Sequence, residues 1–87
     1  MIVPSIHMNG TGGKALLEQV TEAAYRAKLF LNALADMAPN GRDYYPQGPS
    51  ALKQATDDNK ARASKVLIIL NELTNLSEAI ADAMDPQ

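Results

Sequence analysis

Pro39-Asn40-Gly41-Arg42-Asp43-Tyr44-Tyr45-Pro46-Gln47-Gly48 is the stretch whose reading decides the fold. On either side of it apolar residues recur at helical spacing, and within it they do not. Asn40-Gly41 is a strong turn dipeptide. Pro39 disfavours the α region for the residue before it, so a helix arriving from the N-terminal side ends there. Pro49 suits the first position of a new helix. The chain therefore divides into two helices joined by a loop over 39–48. Antiparallel helices are often joined by shorter loops. The surplus residues, with Arg42, Asp43, Tyr44 and Tyr45 among them, invite a functional reason.

Before the loop, the predicted first helix runs from Gly13 to Ala38. Leu16, Val20, Ala23, Ala27, Phe30, Leu34 and Met37 form one narrow stripe with coiled-coil spacing. Leu17, Ala24 and Leu31 form a second stripe beside it. Ala23, Ala24 and Ala27 keep the middle thin, so a partner helix can approach closely. Glu22 and Arg26 can pair at i,i+4.

After the loop, the predicted second helix runs from Pro49 to Met84. Its first half is polar, with Lys53–Asp57 and Asp58–Arg62 placed to pair along one turn. Val66-Leu67-Ile68-Ile69-Leu70 then carries apolar side chains on every face. A helix that is apolar all round is buried all round, and in a two-helix hairpin one face stays wet. Leu73, Leu76, Ile80 and Met84 restore a single stripe. The expected fold is an all-α antiparallel hairpin, one domain over 1–87, whose copies assemble into a helical oligomer.

The N-terminal segment 1–12 reads as an extended arm and a turn. Pro4 excludes a helix interior or a central strand. Ile2, Val3, Ile6 and Met8 need cover that two helices scarcely offer. Asn9-Gly10-Thr11-Gly12-Gly13 is a turn, with Thr11 as the expected N-cap of the first helix.

Composition sets limits. A chain of 87 residues is one domain by length and marginal alone unless stapled. It has no cysteine and one histidine, His7. Disulfides, thiolate metal sites and a multi-histidine metal site are thereby excluded, and self-association is left as the staple. A formal net charge of −2 speaks against duplex DNA as a partner. No apolar run approaches the ~20 residues that span a bilayer, and no signal peptide is visible.

Two segments hold the candidate ligand chemistry. Gly10-Thr11-Gly12-Gly13-Lys14 looks like a phosphate-binding loop but fails the nucleotide-hydrolase pattern, with Met8 and Ala15 at key positions. Its helix N-terminus, close-approach glycines and Lys14 ammonium still favour an anion; an ordinary turn is the alternative. In the second segment Arg42 can bind phosphate bidentately, Tyr44 or Tyr45 can stack on a base, and Asp43 can orient Arg42 or accept from a base amine. The alternative is that these residues brace the loop. A helix of about 25 residues holds its ends roughly 37 Å apart, so a site using both segments is built across subunits. Tyr25 and Arg26, on the outer face, are ligand contacts or plain surface. No nucleophile, base and acid stand at a recognisable spacing, so no enzyme is expected, and no cofactor.

His7-Met8-Asn9-Gly10-Thr11 before one helix, together with Pro39-Asn40-Gly41-Arg42-Asp43-Tyr44-Tyr45 before the other, resembles a family of small phage proteins. These are the helical-hairpin sponges that counter CBASS and Thoeris immunity by sequestering cyclic nucleotide messengers. The likeness spans nearly the whole chain. It implies a phage origin, action in the cytoplasm of the infected bacterial host, trimers interlocked as a homohexamer, and binding of cyclic dinucleotides or cyclic trinucleotides without cleavage. Asn9, Gly10, Thr11, Arg42, Asp43 and Tyr44 match the family motifs; Lys14, Tyr25, Arg26 and Tyr45 join them on chemistry alone. Larger members carry a β-rich part where this chain has only an arm, so binding of ADP-ribose-type signals does not follow. The rival expectation is a structural or adaptor coiled-coil hairpin of a phage with no small-molecule ligand.

Overall fold

The computed structural model describes residues 1–84 and is an all-helical hairpin. Helix α1 spans Gly13–Asp36 and helix α2 spans Ala51–Met84, packed against each other along their length. No strand occurs among the described residues. The molecule is a rod of 62 × 20 × 18 Å.

Two boundaries differ from the sequence expectation. α1 ends at Asp36 rather than Ala38, with Met37 as its C-cap. α2 begins at Ala51 rather than Pro49, because Pro49 and Ser50 lie in a turn entered from Gly48. Gly48 has φ of 105°, the one positive value among the described residues. That region is costly for a residue with a Cβ. The chain swings there into α2, and Ala51 N–H donates to the Gly48 carbonyl at 3.3 Å.

The helices meet along a seam of alternating three- and four-residue steps. On α1 the partly or fully covered positions are Gly13, Leu16, Leu17, Val20, Ala24, Ala27, Leu31 and Leu34. This merges the two stripes anticipated from sequence: Leu16, Val20, Ala27 and Leu34 of the first are covered, and Leu17, Ala24 and Leu31 of the second. Ala23, Phe30 and Met37 lie outside the seam, and Phe30 is 56 % exposed. On α2 the seam runs through Asn59, Ala63, Val66, Leu70, Leu73, Ser77 and Ile80. Leu34, Val66, Leu70 and Ile80 are the buried core, and Ile80 is fully enclosed. The Val66–Leu70 band splits as its helical phase requires. Val66 and Leu70 enter the seam, while Leu67, Ile68 and Ile69 face outward, Ile68 at 66 % exposure.

One side-chain hydrogen bond crosses the seam among the described residues: Asn59 Nδ2 donates to the Leu34 carbonyl oxygen at 2.9 Å. Two surface ion pairs form as expected, Arg26–Glu22 at 2.8 Å and Lys53–Asp57 at 2.7 Å. The Lys53 hydrogen bond holds the Asp57 carboxyl below its ordinary range, and the same bond raises Lys53. The expected Asp58–Arg62 pair does not form; no N···O approach within 4.0 Å joins the two.

The arm is extended up to a turn at Met8–Gly10, closed by Gly10 N–H donating to the His7 carbonyl at 3.2 Å. Thr11 is not the cap of α1. The N-cap is Gly12, with no side-chain cap hydrogen bond. The glycines here make room for side chains of the same chain. A Cβ on Gly10 would lie 2.8 Å from His7 Nε2, and one on Gly13 would lie 2.7 Å from Met84 Cγ and 3.1 Å from Ile6 Cδ1. Ile6 and Met84 thus close the open end of the hairpin over the start of α1. Further out Ile2 is 92 % exposed, while Val3 is partly covered. No helix of the described residues is long and apolar enough to cross a membrane.

Candidate functional site

The site grows out of the 39–48 loop. Asn40 starts it: its side-chain oxygen accepts from the Arg42 backbone N–H at 3.0 Å. A short side chain that mimics a backbone turn in this way opens a tight helical turn. Gly41–Asp43 forms the first 3₁₀ turn, closed by Asp43 N–H to the Asn40 carbonyl at 3.0 Å. Tyr45–Gln47 forms the second, with Pro46 inside it. Tyr44 is the hinge residue between the two, its carbonyl accepting from Gln47 N–H at 3.0 Å. Back-to-back turns of this kind leave Tyr44 little freedom and aim it at the first turns of α2.

Tyr44 stands between two depressions. One, of about 220 Å³, is lined by Tyr44, Gln47, Ala51, Gln54, Ala55 and Asp58. The other, of about 200 Å³, is lined by Met37, Pro39, Tyr44, Ala55, Asp58, Asn59 and Arg62. Tyr44, Ala55 and Asp58 belong to both walls. Among the described residues Asp58 and Arg62 have no ion-pair partner, and Asn59 Oδ1 is buried without a hydrogen-bond donor. The wall thus combines one aromatic ring, one carboxylate and one guanidinium, with the unpartnered amide oxygen buried behind it.

The other expected site residues lie elsewhere. Arg42, Asp43 and Tyr45 are on the same loop but line neither depression, and Tyr45 is 78 % exposed. Asn9, Gly10, Thr11 and Lys14 sit at the opposite end, next to Met84. The 24 residues of α1 separate that end from the loop by roughly 36 Å. Tyr25 and Arg26 lie midway on α1, with Arg26 engaged by Glu22. A single hairpin therefore unites Tyr44 with Asp58, Asn59 and Arg62. It does not unite the two motif segments.

The sequence reading assigns no site role to Gln54, Asp58, Asn59 and Arg62, because it treats early α2 as a solvated face, and none to Gln47 within the loop. The signal available was adjacency. A hairpin lays the first turns of its second helix beside the loop that precedes them. No family model matches the chain. Comparison with curated proteins and with solved structures finds no similar protein.

Proposed function

We propose that the chain binds cyclic di- or trinucleotide messengers and holds them without cleavage, as an oligomer of hairpins. In a phage-infected bacterium this would withdraw the signal from CBASS-type immunity in the host cytoplasm. The observation that carries the reading is Tyr44. The aromatic residue of the loop motif is fixed between two turns and walls two depressions, beside an unpaired guanidinium and an unpaired carboxylate. Base stacking on such a ring contributes about 1–3 kcal/mol per base. Arg62 offers donors to phosphate or base. Arg42 and Tyr45 stand exposed on the same loop, placed to reach a ligand that extends past the depressions.

The surface supports assembly. Its accessible area is 6600 Å² for a mass of 9.3 kDa. A compact monomer of that mass exposes about 5,000 Å². The surplus of roughly 1,600 Å² is twice the ~800 Å² that each partner gives to a standard interface. Met37 and Arg62 share one depression, so they border the same flank of the hairpin. Steps of seven residues carry that flank from Met37 to Phe30 on α1 and from Arg62 to Ile69 on α2. Phe30 and Ile69 are both exposed there. Copies joined on this flank would roof the depression and bring the arm motif of one hairpin toward the loop of another.

Titration calorimetry with a panel of cyclic di- and trinucleotides tests the reading. Heat from at least one of them, with the ligand recovered intact after thermal denaturation of the complex, is expected. Silence across the panel, or recovery of opened ligand, rejects it.

A second reading, a structural or adaptor hairpin, is favoured by the outward-facing Leu67, Ile68 and Ile69, which need a partner but no ligand. It expects Tyr44→Ala and Arg42→Ala to alter folding or assembly and nothing else.

A further inference from the structure

Resting on the messenger-binding reading, we propose that the depression between Met37 and Arg62 seats one guanine base, stacked on Tyr44, with its Watson–Crick edge on the Asp58 carboxylate. The space is about 200 Å³. That is below the ~300–1,000 Å³ of sites that enclose a whole ligand, so it takes one base and leaves the rest of a cyclic nucleotide outside. The polar lining selects among bases. A carboxylate only accepts hydrogen bonds, so Asp58 turns phosphates away and takes a donor edge. Guanine presents N1–H and its exocyclic amine side by side, matching the two carboxylate oxygens in parallel. Adenine presents its amine beside a bare N1, which sets lone pair against lone pair.

The neighbouring guanidinium agrees with that choice. Arg62 supplies the donors that guanine O6 requires, the commonest specific pairing of arginine with a base. Asp58 and Arg62 sit one turn apart on α2 and line the same space, yet do not spend their charges on each other. Both therefore remain available to a ligand.

The test is calorimetry of the wild-type protein and of Asp58→Asn with cyclic di-GMP, cyclic di-AMP and cyclic tri-AMP, with circular dichroism as the control for folding. Asp58 is exposed, so the variant keeps the hairpin. The wild type is expected to bind cyclic di-GMP roughly tenfold more tightly than cyclic di-AMP. Asp58→Asn is expected to erase that preference while retaining affinity for cyclic di-AMP. Equal wild-type affinities, or a preference that survives the substitution, overturn the guanine seat and leave messenger binding standing. No heat from any of the three overturns both.

Discussion

Asn59 and Leu34 are tied across the seam: the amide of Asn59 donates to the Leu34 carbonyl oxygen at 2.9 Å, near the end of α1 where carbonyls run out of helical partners. The bond sets where α2 starts relative to the end of α1, and so where Tyr44 meets Asp58 and Arg62. It is only half satisfied, since Oδ1 has no donor. The Leu34 carbonyl also accepts from Met37 N–H at 3.1 Å, so losing Asn59 does not orphan it. Asn59→Leu is therefore expected to leave stability unchanged or raise it by up to ~1 kcal/mol, while loosening register. Chemical denaturation and amide exchange at 34–38 check this. A loss of more than about 2 kcal/mol would show that the amide is a net stabiliser.

Ile80 is the most enclosed side chain of the seam. Ile80→Ala removes that packing where only two helices are present to collapse around it. A loss of about 2–4 kcal/mol is expected, read by thermal melting. A change under about 0.5 kcal/mol would mean that the open end of the hairpin is already loose.

Gly48 adopts φ of 105° at the entry to α2, with nothing near the position a Cβ would take. The effect of Gly48→Ala is therefore conformational and not steric. About 1 kcal/mol of destabilisation is expected, with the larger consequence at Tyr44, whose depression the same turn shapes. Melting temperature and ligand affinity are measured together. A variant as stable as wild type would contradict the strained turn.

How much of this was legible in the sequence follows from particular residues. Pro39 and Asn40-Gly41 announce the hairpin because their backbone preferences act locally, whatever packs around them. The seam was less legible. Ala23 and Ala24, or Phe30 and Leu31, are adjacent residues of like polarity, and only the phase of α2 decides which of each pair turns inward. Tyr44 could be read because loops of this composition are unusual. Asp58 and Arg62 could not, because an i,i+4 pair of opposite charge reads as a surface ion pair. That the two do not meet is a matter of rotamers, which spacing does not encode.

Phe30 and Ile69 expose apolar surface on the flank that carries the depression. If copies pair over that surface, Phe30→Glu with Ile69→Glu places charges in the interface. Light scattering is expected to report an oligomer for the wild type and a helical monomer for the double variant. A wild-type monomer at micromolar concentration would refute assembly.

Tyr44→Ala removes the ring shared by both depressions. Messenger affinity is expected to fall by about tenfold or more, the loss of one stacked base, with oligomer size and helix content unchanged. An equal loss of assembly would favour the adaptor reading.

Most direct is mass spectrometry of the small molecules released by heating protein purified from cells that make cyclic oligonucleotides. An intact cyclic di- or trinucleotide, in stoichiometric proportion to the protein, is the expected result. Protein that emerges folded and empty from such cells, or that releases only linear products, would contradict sequestration.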